Sequence, residues 1–147
     1  AKRLDLIRIM INYGLTRSIG ISLSFSIFFF FYSESIIPIF TDSSEISRLA
    51  VLYFKIMAFA YPFITIGMTS TRIMQGLGVA YPMFILTLFR VVIISASLAW
   101  YFVIILDKPV HFAWVGTLIS CILTSGVSLA WLQNILKRSF HSVIEMG

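Results

Sequence analysis

The sequence predicts an all-α polytopic membrane protein: four transmembrane helices behind a short amphipathic N-terminal leader. Three observations carry that prediction. Hydrophobic residues make up 59% of the chain and charged residues only 12%, about half the ~25% usual in soluble domains. The apolar residues fall into four long runs, each near the roughly 20 residues a helix needs to cross hydrocarbon. Most lysines and arginines gather at the ends of those runs, as a membrane orientation signal requires. A membrane β-barrel would show alternating segments of about ten residues instead, and the sequence has none.

The leader covers residues 2–13. Leu4, Ile7, Ile11 and Leu15 recur at helical spacing, while Lys2, Arg3, Asp5 and Arg8 are polar. Such a pattern suits an interfacial helix that leads into the membrane. The first span is expected at about 18–40. "TDSSEIS" then breaks the apolar pattern. Thr41, Asp42 or Ser43 is suited to cap the next helix, with Glu45 favourable in its first turn. The second span is expected at about 49–74, the third at 83–105 and the fourth at 112–136. "LDKPVH" separates the last two, where Pro109 and the charges of Asp107 and Lys108 stop a helix.

The stretch "RIMQGLGVAYP", residues 72–82, joins the second and third spans. A dinucleotide loop needs a third glycine, after a strand. Here Tyr81 stands at that place, and the flanking runs are too long for strands. The stretch reads as a tight turn between membrane helices, with Gly76 and Gly78 allowing close backbone geometry.

Charge assigns sides. Lys2, Arg3, Arg8, Arg17, Arg72, Lys137 and Arg138 fall on one side, Arg48 and Lys108 on the other. The positive-inside bias makes the leader, the 76–82 turn and the C-terminus cytoplasmic. The net charge of +5 is thereby explained by orientation, and no nucleic-acid partner is expected. Membrane lipid is the expected surrounding.

Polar residues within the spans are the candidate functional groups. Gly14, Ser18, Ser22 and Ser26 lie four apart on one face of the first helix, a spacing that lets helices pack closely and reads as a helix–helix seam, with a substrate-lining face as the alternative. In the second helix Tyr61, Thr65, Thr69, Arg72 and Gly76 share a face, and Pro62 removes a backbone hydrogen bond. That face suits either a packed seam or a water-filled cavity; Tyr61, Thr65 and Thr69 are the candidate substrate-cavity residues. The fourth helix carries Gly116, Thr117, Ser120, Cys121, Thr124 and Ser128, read as a packing stripe.

Glu34 and Lys55 lie near the outer ends of their spans and are expected to reach the headgroups. Arg90 is two turns into the third helix. It either reaches lipid phosphate or faces the bundle beside a polar group. His111 and His141 have no second ligand at helical spacing. The single cysteine excludes an internal disulfide or a cysteine-paired metal. No catalytic motif is present, so no enzyme activity, catalytic residue, metal site or cofactor is expected.

A helix ending in "RIMQGLG", a short turn with Pro82, then an apolar helix with Arg90 near its start resembles the C-terminal lobe of multidrug and toxic-compound extrusion transporters. The basic leader, the "IFTDSSEI" turn, "LFRVVI" and the closing "ILKRSF" extend the resemblance over nearly the whole chain. It implies twelve helices in two six-helix lobes, and export of drugs or organic cations coupled to Na⁺ or H⁺ entry. This chain would supply helices nine to twelve. The chain begins at Ala1 without a signal-peptide pattern, which agrees with an expected N-terminal part of the same transporter upstream. Some branches place an acidic residue where this sequence has Ile64, so the resemblance carries no ion-binding residue here. The coupling ion is expected mainly outside these residues. Lipid-linked polysaccharide flippases share the helical plan and are the alternative, followed by a non-transporting four-helix membrane subunit. The expected location is the plasma membrane.

Overall fold

The computed structural model describes the backbone of residues 2–145 and the side chains of residues 6–138. The side chains of Lys2, Arg3, Leu4, Asp5 and His141, invoked above, lie outside the described residues. Four helices account for nearly all of the described chain: α1 (Lys2–Ile36), α2 (Ser44–Gly76), α3 (Tyr81–Ile105) and α4 (His111–Glu145). All four are long and apolar enough to cross a membrane. The second, third and fourth predicted spans each fall within one of them, whereas the first, about 18–40, runs past the end of α1 at Ile36 into the turn that follows.

The leader and the first span form one unbroken helix. No proline interrupts residues 2–36, and glycines at 14 and 20 weaken a helix without ending it. α1 stops before a short 3₁₀ turn, Ile37–Ile39, which contains Pro38. α2 then starts at Ser44, after Ser43 in extended conformation, with Glu45 in its first turn. It runs through Pro62 to Gly76 as a single helix.

The α2–α3 turn closes as a Schellman motif. Val79 N–H donates to Met74 C=O at 2.9 Å and Gly78 N–H donates to Gln75 C=O at 3.0 Å. This geometry needs a left-handed residue just past the helix, and Gly78 supplies it at φ 86°. Gly76 stays within the helix. Of the two glycines, only Gly78 does what the sequence reading assigned to both. At the other end of α3, Asp107 takes φ 49°, a region that Asp enters more readily than most side chains.

α3 is not a regular α-helix. Phe89–Ser95 and Tyr101–Ile105 are π-helical, a widening usually confined to short stretches and frequent at functional sites. The sequence pattern had no signal for it.

α2 occupies the middle of the bundle. It packs on α1 through one face and on α4 through the other, and α3 packs on α4. Two apolar clusters mark the ends of the α2–α4 contact. One holds Met57, Ala60 and Cys121, ringed by Tyr61, Ile64, Trp114 and Leu118. The other holds Met74, Leu86 and Leu132, ringed by Leu15, Trp131 and Ile135. Between them lies a layer of buried small residues: Ser70 and Thr71 on α2, Thr124, Ser125 and Ser128 on α4. A Cβ built on Gly67 would sit 3.9 Å from Ser128 Oγ. Small side chains let two helices approach, and close packing drives association where lipid is as apolar as leucine. For the same reason, large side chains such as Phe25, Phe84, Val92 and Ile104 face outward without the penalty that water would impose.

Candidate functional site

The α1–α2 seam begins with the small residues of α1. Ser26 and Ser33 are buried in it. Thr65 Oγ1 donates to Ser22 Oγ at 2.9 Å, joining residues 43 positions apart. In membrane proteins such a bond contributes about 0.6 kcal/mol, so it orients the pair more than it holds it.

Beside this seam runs an open groove of about 480 Å³, lined by Ser18, Ile21, Ser22, Phe25, Phe29, Tyr61 and Thr65. Two of the three candidate cavity residues, Tyr61 and Thr65, therefore meet in one groove. Thr69 is half-buried and is not among its lining residues. Tyr61 also packs against the Met57–Cys121 cluster. Ile64 packs against that same cluster and is not among the groove's lining residues. Across the seam lies a second hollow of about 320 Å³, almost wholly apolar, lined by Ser26, Phe30, Phe59, Pro62 and neighbours. Ser26 Oγ is buried there with no hydrogen-bond partner.

Sequence reading treated Glu34 and Lys55 as separate groups seeking headgroups. The structure pairs them: Lys55 Nζ donates to Glu34 Oε1 at 2.5 Å across α1 and α2. Glu34 remains well exposed, at 69%. Two lone charges at similar depth on adjacent helices were the available signal, but pairing requires knowing which helices are neighbours.

Arg90 resolves toward the bundle. It lines a pocket between α2, α3 and α4 together with Gly67, Thr71, Leu86, Thr124 and Ser128. Its guanidinium lies beside the Cys121 thiol. Near it, Ser95 and Thr117 hydrogen-bond between α3 and α4 at 3.0 Å. Thr117 spends its proton on Ala113 C=O, so Ser95 is the donor. Arg72, by contrast, is exposed and reaches Gln75 at 3.4 Å. Among the described residues no three His, Cys, Asp or Glu side chains gather as a metal site would require.

Among the described residues the arrangement consists of grooves and small polar pockets set among helices that suit lipid. The family model MatE matches residues 1–101, which covers α1, α2 and most of α3. No curated protein and no solved structure matches the chain. The four membrane-length helices and this match lead to one conclusion: the chain is a membrane protein of the MatE family, the multidrug and toxic-compound extrusion type of transporter.

Proposed function

We propose that this chain forms helices nine to twelve of a two-lobed antiporter that exports drugs or organic cations in exchange for Na⁺ or H⁺. The groove beside Tyr61 and Thr65 would be one wall of its substrate cavity. The observation that carries this reading is the groove's lining. Two aromatic rings from α1, Phe25 and Phe29, and one from α2, Tyr61, stand around the hydroxyls of Ser18, Ser22 and Thr65. Binding sites for small molecules are mostly apolar with a few placed polar groups, and aromatic faces attract organic cations. Thr69 lies one turn from Thr65 on the same helix and extends that wall toward the Gly78 turn. The opposite wall belongs to the other lobe, because alternating access places a site between two bundles that rock against each other.

The test is efflux of a cationic dye from proteoliposomes holding the complete transporter, driven by an imposed Na⁺ or H⁺ gradient. Efflux is expected. Tyr61→Ala should raise the KM for dye at least several-fold. Absence of gradient-driven efflux across varied organic cations would overturn the reading and move weight to the flippase. An unchanged KM in Tyr61→Ala would remove the groove from the substrate path.

A further inference from the structure

The pocket around Arg90 shares no lining residue with the groove at Tyr61 and Thr65. Arg90 sits about two turns into α3, within its first π-helical segment, Phe89–Ser95. The pocket measures about 180 Å³ and is walled by α2, α3 and α4. Arg90 has no ion pair among the described residues. Glu34 is bound to Lys55. Asp42, Glu45 and Asp107 lie at or beyond helix ends remote from the Gly78 turn, near which Arg90 enters. A guanidinium held among membrane helices without a counter-charge is costly.

The hydroxyls around it are not equivalent. Thr71 donates its proton to the carbonyls of Gly67 and Met68. Ser128 donates its proton to Ser125 C=O. Thr124 is different. It is 93% buried, as its 7% exposure shows, lines the pocket, and its Oγ1 has no hydrogen-bond partner. A buried hydroxyl left unpaired forfeits its hydrogen bond. Among the described residues, one pocket thus presents a cation without a carboxylate partner and an unused O–H donor.

We infer that this pocket is a binding site for a small inorganic anion, chloride under cellular conditions, held between the Arg90 guanidinium and the Thr124 hydroxyl. An anion satisfies both groups at once. Water alone would pair with Thr124 and leave the charge. The volume admits a small ion with a few waters, and a phospholipid headgroup with its glycerol is a poor fit between three packed helices. The π-helical turn contributes by displacing residues of α3 from regular register beside α4, where Ser95 meets Thr117. Occupancy would tie α2, α3 and α4 together through a charge that α3 carries and α4 does not answer.

The experiment measures thermal unfolding of the purified complete protein in lipid-free detergent. Chloride, bromide and gluconate salts of one common cation are compared at equal ionic strength, with phosphatidylglycerol as a separate addition. Chloride and bromide are expected to raise the midpoint saturably by about 2–4 °C over gluconate. Thr124→Val keeps the side chain's shape and removes its donor. It should raise the half-saturating chloride concentration about tenfold. Arg90→Gln should abolish the halide effect; if that variant fails to fold, the Thr124→Val titration still decides. Equal midpoints in chloride and gluconate would overturn the proposal. So would an unchanged half-saturating concentration in Thr124→Val. Stabilisation by phosphatidylglycerol without any halide effect would assign Arg90 to lipid phosphate and defeat it as well.

Discussion

Two glycines two positions apart behave differently, and backbone geometry says why. Gly78 holds φ 86°, where a Cβ collides with the following carbonyl at a cost of roughly 1–2 kcal/mol. Gly76 lies in the last turn of α2, and a Cβ there would meet nothing within 4 Å. Gly78→Ala should therefore lower the unfolding free energy by about 1 kcal/mol, while Gly76→Ala should raise it by about 0.5–1 kcal/mol. Denaturation midpoints of the two variants in detergent check this, and a reversed order would refute the Schellman assignment. The sequence marked both glycines as turn residues. Which one turns left-handed depends on where the last helical hydrogen bond falls, and that differs by one or two residues for reasons a pattern does not record.

Helix pairing is decided by how closely backbones approach. A Cβ on Gly116 of α4 would stand 3.0 Å from Leu98 Cβ and 3.5 Å from the Ala99 nitrogen of α3. The nearest of these neighbours is fixed to a backbone and cannot swing away. Gly116→Val should thus destabilise by about 1–3 kcal/mol through overpacking. Gly67→Ala, meeting only Ser128 Oγ at 3.9 Å, should be neutral or gain up to about 1 kcal/mol from helix propensity. Stability of both in the same detergent is the measurement; equal losses would mean that α3 and α4 do not pack at Gly116. The stripe on α4 was readable as a seam. Its partners were not, because the same stripe serves α2 through Cys121, Thr124 and Ser128 and α3 through Gly116 and Thr117. Only adjacency in space divides it.

At the scale of the molecule, basic residues concentrate toward the chain ends and the Gly78 turn, and acidic ones toward the loops at 41–45 and 107. This asymmetry motivates a topology with the Gly78 turn in the cytoplasm. With Cys121 replaced by alanine, cysteines at Ser43 and Lys108 should react in intact cells with an impermeant thiol reagent. A cysteine at Ala80, exposed in the turn, should react only after the membrane is opened. Ala80 is the better probe position, since any side chain at Gly78 would strain the turn. Labelling of Ala80→Cys from outside would invert the topology.

The class, the presence of four spans and a turn within residues 76–82 were determined by the sequence alone, because hydropathy, length and turn chemistry are local sums along the chain. Even so, the boundary drawn near residue 18 was no break: amphipathicity changes there, but nothing ends the helix. The tertiary structure decided the rest. It set α2 between α1 and α4, tied Thr65 to Ser22 and Lys55 to Glu34, left Ile64 out of the groove's lining, and placed Arg90 and Thr124 in one pocket. Apolar contact with a neighbouring helix is scarcely better than contact with lipid. The order of helices therefore rests on small side chains and hydroxyls that fit across tens of residues, and such fit exists only once the chain has folded.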